Sequence, residues 1–256
     1  AMDETAPDSF LLGEVWEDAT TKVAYSQRRR YLLGHELHGV MNYPFRNALI
    51  AYLLGGDADE FRETLEAIRE NYPPNAFSSL MNFLGTHDTP RILTALVDDF
   101  DGSREEKAAR HLSKNQLEVA RDRLQMAAFL QYTLPGSPSL YYGDEALMEG
   151  YKDPFNRRTY PWGREDTELV RFFRQLGQLR RDIPALGKGT ITFQTAMDKH
   201  LAYTRCYEGQ KFTVYVNRSG DPWQVPAGKV RMGKNLDTVA RDQLILSPHG
   251  FCIVEA

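Results

Sequence analysis

The stretch from Leu80 to Arg91, which reads LMNFLGTHDTPR, indicates where this chain carries its chemistry. It begins with an apolar run that has the length and composition of a buried strand. The run breaks at Gly85 and is followed by His87, Asp88 and the guanidinium of Arg91. Pro90 has no N–H to donate to a sheet, so the strand must end before it. The ionisable cluster therefore follows the carboxyl end of a strand, which is the edge that carries active sites in α/β proteins.

A second stretch, residues 10–18 (FLLGEVWED), repeats this design: an apolar run meets a glycine and then a carboxylate, Glu14. If the two strands are parallel in one sheet, Glu14 and Asp88 converge on one edge. Glycoside hydrolases typically use a pair of carboxyl groups that flank the scissile glycosidic bond. An isolated His-Asp pair, by contrast, is commonly a solvated turn, so this interpretation depends on the two stretches together.

Five segments resemble signature regions of the α-amylase family of glycoside hydrolases, and they occur in the family's order. The segments are Gly13–Trp16, Val40–Phe45, Phe83–Arg91, Gly136–Glu145 and Asp153–Arg158. The resemblance covers roughly residues 10–182. Residues 40–45 (VMNYPF) and Thr86, which stands where Asn is common in the family, resemble the neopullulanase, cyclomaltodextrinase and maltogenic-amylase branch.

The resemblance implies a role for each candidate site residue. Glu14 would be the general acid/base and Asp88 the transition-state stabiliser that also holds sugar hydroxyls. His87 would hydrogen-bond the same sugar. Substrate binding would further involve Trp16 and Tyr43 as aromatic platforms, and Asp153 and Arg157 on the other side. These substrate-binding roles have simpler structural alternatives. An aromatic side chain is as often part of the hydrophobic core, and an ion pair in a loop is often only a surface contact.

The implied function is hydrolysis of α-glucosidic bonds in starch-derived glucans, cyclodextrins or maltooligosaccharides, with retention. The family's nucleophile is an Asp in a Gly-x-Arg-x-Asp block upstream of the Glu region. Asp3 and Asp8 lack the Arg two residues before them. The sequence therefore predicts the C-terminal half of such an enzyme, inactive by itself. The alternative is a non-catalytic, amylase-like module that binds carbohydrate or a partner protein.

The expected fold class is α/β. Strand and helix alternate four times, with strands ending near Val15, Tyr43, Gly85 and Tyr142, which implies a parallel arrangement. We expect residues 1–186 to form strands 5–8 of a TIM (β/α)8 barrel with their helices. Residues 187–256 should form an antiparallel β-sandwich, because short apolar runs there alternate with turn residues. The open edges of such a half barrel predict self-association.

Composition narrows the classes of function. The chain has 256 residues, 42% hydrophobic and 26% charged, with a formal net charge of −4. It has neither the basic bias of a nucleic-acid-binding protein nor an apolar run long enough for a membrane span. Cys206 and Cys252 have no metal-ligand spacing, and no signal peptide is visible, which favours a cytoplasmic over a secreted location. The sequence shows no evident cofactor or metal site. Calcium is used by some members of the family, and we expect it here only as a possibility for a longer, full-length protein.

Overall fold

The computed structural model describes residues 5–6, 8–34, 36–240 and 242–255. Asp3, considered above as a nucleophile, lies outside them. The described strands are β1 (Leu12–Gly13), β2 (Val23–Ala24), β3 (Gln27–Arg28), β4 (Gly39–Val40), β5 (Met81–Phe83), β6 (Ser137–Ser139), β7 (Thr190–Met197), β8 (His200–Tyr207), β9 (Gln210–Asn217), β10 (Trp223–Pro226), β11 (Lys229–Ala240) and β12 (Gln243–Glu255). The described α-helices are α1 (Tyr43–Leu54), α2 (Ala58–Asn71), α3 (Pro74–Ser78), α4 (Ile92–Ala95), α5 (Arg104–Ala109), α6 (Lys114–Thr133), α7 (Thr167–Asp182) and α8 (Pro184–Lys188).

Four parallel strands lie side by side in chain order. β1 pairs with β4, with Leu12 opposite Gly39, and β5 pairs with β6, with Met81 opposite Ser137. A parallel bridge between Met41 and Met81 joins the two pairs. The carboxyl ends of all four strands therefore meet at one edge, as the alternation of strand and helix predicts.

Most helices begin where local sequence signals place them. Asn42 caps α1, with Pro44 in its first turn, and Asp57 caps α2 through a bond from the N–H of Asp59. Ser113 and Gln116 form a reciprocal capping box at the start of α6. Gln131 of α6 then reaches the sheet, donating from Nε2 to carbonyl oxygens of β5 and β6, each at 2.9 Å. The longest described helix thus fixes the spacing of the two last parallel strands.

The expectation that every parallel strand is followed by a helix is wrong for the first strand. Within the described part of residues 14–38, β1 leads instead into a short antiparallel hairpin of β2 and β3. The turn residues Tyr25 and Ser26 both have positive φ, 53° and 61°. Such a two-residue turn matches the twist of paired strands and so favours a hairpin over a helix.

The C-terminal strands form one hydrogen-bonded antiparallel sheet, in the order β10-β12-β9-β8-β7, with β11 also paired to β12. Both of its faces are apolar. One face packs on the helices, where Phe251 stacks on Phe129 with ring centroids 4.4 Å apart. The other face carries a second apolar cluster, formed by strand residues that include Val225, Leu244 and Leu246. One apolar core includes residues of both the helices and the sheet, so the two parts pack as a unit.

No helix in the described ranges is both long and apolar enough to cross a membrane.

Candidate active site

Glu14 follows the last residue of β1, and two side chains orient its carboxylate. Oε1 accepts hydrogen bonds from the Tyr43 hydroxyl at 2.9 Å and from the Trp16 indole N–H at 3.2 Å. The Trp16 ring stacks on Tyr43, with centroids 4.5 Å apart and an interplanar angle of 16°. Because both donors are rigid rings packed on one another, the position of this carboxylate is well defined.

Trp16 and Tyr43 were predicted alike as aromatic platforms, and the structure separates them. Trp16 is 51% exposed and offers an open ring face, whereas Tyr43 is 1% exposed. Tyr43 is therefore not open to a ligand through its ring, and its contribution to the site is its hydroxyl group. Burial, and next the hydrogen bond to Glu14, raise the pKa of Tyr43 well above its usual range, so the hydroxyl remains a hydrogen-bond donor.

His87 and Asp88 lie on a turn just beyond β5 that is held by its own threonines. Thr86 donates its N–H to the Thr89 hydroxyl at 3.0 Å, and Asp88 donates its N–H to the Thr86 hydroxyl at 3.2 Å. The side-chain amide of the buried Asn156 donates to the carbonyl oxygens of this turn, including that of His87 at 2.7 Å. Asn156 is a positioning residue that the sequence reading missed, although it lies inside the fifth matching segment.

Arg157 contacts both the Asp88 side chain and the His87 backbone of this turn. Its Nη2 lies 3.1 Å from Asp88 Oδ1, and its Nε donates to the His87 carbonyl at 2.9 Å. The same Nε lies 3.1 Å from Asp153 Oδ1. The predicted ion pair between Asp153 and Arg157 is therefore present. It is more than a surface contact within one loop, because the same guanidinium group also restrains the Asp88 carboxylate.

The side chains of Glu14, His87 and Asp88 meet. One ligand-type atom from each lies within 4.8 Å of the others, and His87 Nε2 is 3.3 Å from Asp88 Oδ2. Three such groups are also a geometric possibility for a metal ion. Calcium takes about six to eight oxygen ligands, whereas this cluster supplies two carboxylates and one imidazole, so it does not fit calcium. The structure brings the predicted residues together; their roles remain predictions.

A buried ion pair lies under the His87–Asp88 turn. Arg91 Nη1 is 3.3 Å from Asp144 Oδ1, and both side chains are at most 1% exposed. The Arg91 guanidinium lies over the rings of Tyr141 and Tyr142, at 4.3 and 4.5 Å from their centroids. Burial raises the pKa of Asp144 to about 7, against the opposing effect of Arg91. Asp144 lies in the fourth matching segment, Gly136–Glu145, but no local sequence pattern identifies Arg91 as its partner.

Glycine at position 85 gives the turn room above this pair. A Cβ on Gly85 would lie 2.6 Å from Asp144 Oδ2, closer than carbon and oxygen can approach without a shift. The break in the apolar run at Gly85 is therefore a requirement of the buried carboxylate below it.

The catalytic-domain model of the alpha-amylase family matches residues 1–182, which is most of the chain. The chain belongs to the alpha-amylase family. Its members are glycosidases, and the resemblance of the five segments is thereby confirmed.

Relatives of this alpha-amylase-family chain carry several names. An amylopullulanase from Thermoanaerobacter thermohydrosulfuricus is 40% identical over 204 residues, covering 75% of this chain and 13% of the relative. A cyclomaltodextrinase from Geobacillus thermopakistaniensis is 30% identical over 232 residues, covering 88% of this chain and 34% of the relative. The chain thus spans only 13% and 34% of the length of these two relatives.

Solved structures share the fold of this family member. The native form of the Nostoc punctiforme debranching enzyme superposes with a TM-score of 0.79 at 23% identity, covering 99% of this chain and 53% of that one. A cyclic alpha-maltosyl-(1→6)-maltose hydrolase from Arthrobacter globiformis gives a TM-score of 0.75 at 24% identity, covering 99% and 51%. The family and these likenesses indicate a TIM-barrel glycosidase fold with a β-rich C-terminal region.

Proposed function

We propose that the protein to which this chain belongs hydrolyses α-glucosidic bonds with retention of configuration. The observation that carries the proposal is the meeting of Glu14, His87 and Asp88 at the carboxyl ends of β1 and β5. Glu14 would protonate the glycosidic oxygen and later deprotonate the attacking water. Asp88, held by Arg157, would bind sugar hydroxyls and stabilise the oxocarbenium-like transition state. The exposed face of Trp16 would stack on a sugar ring on the leaving-group side.

The proposed substrates are cyclodextrins, pullulan-type glucans and short maltooligosaccharides. The support is the VMNYPF segment at residues 40–45 together with Thr86, and relatives named amylopullulanase and cyclomaltodextrinase. Products followed by proton NMR should appear first as the α-anomer. An inverted product, or cleavage restricted to β-linked glycans, would refute the assignment.

We further propose that residues 1–256 alone are not an active hydrolase, because the family's nucleophile block has no match in them. The test compares this chain with a longer version that includes the upstream barrel strands, using Glu14→Gln in each. The matched control is Glu17→Gln, which alters an exposed carboxylate paired with Lys22. The longer protein should lose several orders of magnitude in rate with Glu14→Gln and little with Glu17→Gln.

Turnover by the 256-residue chain alone would show that a nucleophile is present within it. Asp88 would then be the candidate, since its carboxylate oxygen lies within 4.8 Å of that of Glu14. Retaining glycosidases place their two carboxyl groups about 5 Å apart. Trapping a glycosyl adduct and locating it by mass spectrometry would decide between Asp88 and an upstream Asp.

The second candidate function is a non-catalytic module that binds glucan or a partner protein. The exposed Trp16 and the open polar cluster beside it would serve binding equally well. The longer protein decides: binding of maltooligosaccharides without turnover, unaffected by Glu14→Gln, would favour the module.

A further inference from the structure

We infer that a cavity between α1, α6 and the C-terminal sheet binds a small organic anion, namely a carboxylate that carries a short apolar tail. The cavity has a volume of about 300 Å³ and is lined by the end of α1, the middle of α6, a residue that follows β9 and a residue of β12. Ligand clefts in proteins usually measure about 300–1,000 Å³. The space therefore suits a small molecule rather than a polymer.

The cavity is separate from the candidate active site. Tyr43, at the start of α1, bonds Glu14, whereas Leu53 and Leu54, at the end of the same helix, line the cavity. An α-helix rises about 1.5 Å per residue, so the two ends of α1 are about 16 Å apart. The inference is therefore independent of the proposed function.

The polar wall of the cavity carries two guanidinium groups without a counter-charge. Arg123 and Arg218 each donate to a backbone carbonyl, and neither forms an ion pair in the described part of the chain. Asp122 is the one acidic residue of the described lining, and its carboxylate is bound to Lys234 Nζ at 2.6 Å. Burial, and next the positive charge of Arg218, lower the pKa of Arg123. An anion in the cavity would offset this repulsion.

The guanidinium of Arg218 is held in place and retains capacity to donate. Its Cζ lies over the ring of Tyr52, 4.8 Å from the centroid, and its Nη2 donates to the Gly56 carbonyl at 2.6 Å. Its Nε is buried and has no hydrogen-bond partner in the described ranges. Buried donors are normally paired, so an unpaired one needs an explanation. The planar fork of an arginine matches a carboxylate better than it matches any neutral group.

A bulge in β12 brings His249 to the same wall. Lys234 pairs with Phe251 and Leu236 with Leu246, so four residues of β12 lie opposite the single residue Asn235. His249 lies in this bulge with a positive φ of 56°, and its exposed side chain has no partner in the described part of the chain. Bulges commonly redirect a side chain towards a functional site. The bulge thus adds a third nitrogen-bearing side chain to the two arginines.

The opposite wall is apolar and limits the class of anion. Leu53 and Met126 are buried, while Leu54 and Val119 are about half exposed. An aliphatic tail would bury surface against these side chains, which an inorganic anion cannot do. The described lining contains no hydroxyl, amide or aromatic side chain, and those are the groups that bind sugars. A carboxylate with a short apolar tail matches both walls.

The first test is an NMR titration of the 256-residue chain with sodium hexanoate. Hexan-1-ol, which has the tail without the charge, and inorganic phosphate, which has the charge without the tail, are the comparison ligands. Hexanoate should shift the backbone amides of residues 119–126 and the His249 ring with one-to-one saturation. The two comparison ligands should bind at least about tenfold more weakly, because each loses the contacts of one wall. Equal binding by either one, or hexanoate shifts that map elsewhere, would overturn the inference.

Variants test the residues named. Arg218→Lys should weaken hexanoate binding about tenfold, because lysine keeps the charge and loses the fork. The matched control is Arg121→Lys on α6, which lies outside the cavity lining and pairs with Asp166.

A second variant covers the case in which Arg218→Lys does not fold. Val119→Asp changes a half-exposed residue of α6, so far-UV circular dichroism should be unchanged. Hexanoate binding should nevertheless be lost, because a carboxylate would then occupy the apolar wall. Hexanoate affinity that is unaffected by Val119→Asp would overturn the assignment of this cavity.

Discussion

Replacing Asp144 by Asn should remove a pH dependence that one buried carboxyl group imposes on stability. Asp144 is 1% exposed and has Arg91 beside one oxygen, while Oδ2 has no hydrogen-bond partner. Burial raises its pKa to about 7, against about 3.9 in an unfolded chain. Between these values the folded state binds the proton more tightly than the unfolded state does.

The sign and size follow by linkage. The stabilisation from Asp144 is complete below about pH 3.9 and is lost as pH rises through about 7. Integrating between about pH 4.5 and about pH 7.5 gives a fall of ~3 kcal/mol in the free energy of unfolding for this one group. Asn keeps the shape and cannot titrate, so the variant should lack that part of the fall.

Urea unfolding followed by far-UV circular dichroism, at several pH values, measures the effect. The control is Asp221→Asn, since Asp221 is exposed and its carboxylate has no partner in the described ranges. Comparing variants cancels the titration of all other groups. Parallel pH profiles for the parent chain and Asp144→Asn would refute the reasoning. A carboxyl carbon resonance of Asp144 that titrates near pH 4 would refute it independently.

Three further outcomes are expected. Arg157→Lys should lower kcat/KM of the longer protein by about tenfold or more, because lysine cannot bridge Asp88 and the neighbouring backbone as the guanidinium does; an unchanged kcat/KM would contradict this role. Phe129→Ala should destabilise the fold by about 3–5 kcal/mol by opening a cavity against Phe251, measured by urea unfolding; a loss below about 1 kcal/mol would show that the two parts pack loosely. The 256-residue chain should self-associate in light scattering, since β1 and β6 each pair with a single strand in the described ranges; a monomer at all concentrations would remove the open-edge argument.

The sequence was enough to predict those parts of the site that depend on local patterns and on the common edge at which parallel strands end. Glu14 and Asp88 each follow an apolar run and a glycine, and parallel strands end at one edge, so their meeting follows from the sequence. Arg91 and Asp144 lie 53 residues apart, and their pairing depends on tertiary packing that no local pattern encodes. The burial of Tyr43 beneath Trp16 could not be predicted from the sequence for the same reason, because it also depends on tertiary packing.

The fold was harder to predict where backbone geometry departs from residue preference. The β2–β3 hairpin turns on Tyr25 and Ser26 at positive φ, although glycine and asparagine are the usual signals there. β11 is hard to recognise from its sequence because apolar and polar residues alternate only at its start, over residues 229–232, and its pairing with β12 is interrupted by register shifts. Neither feature presents a sustained period-two alternation, by which strands are recognised.

The C-terminal sheet supports the candidate site through α6. The Tyr203 hydroxyl of β8 bonds the Thr133 hydroxyl at 2.6 Å, and the buried Arg205 donates to the Thr133 carbonyl at 2.6 Å. Thr133 is the last residue of α6, and a short link leads from it into β6. Gln131, in the same helical turn, bridges β5 to β6 through its side-chain amide. The sheet therefore fixes the strand spacing on which Asp88 depends. Removing it should disturb the site even though none of its described residues touches the cluster of Glu14, His87 and Asp88.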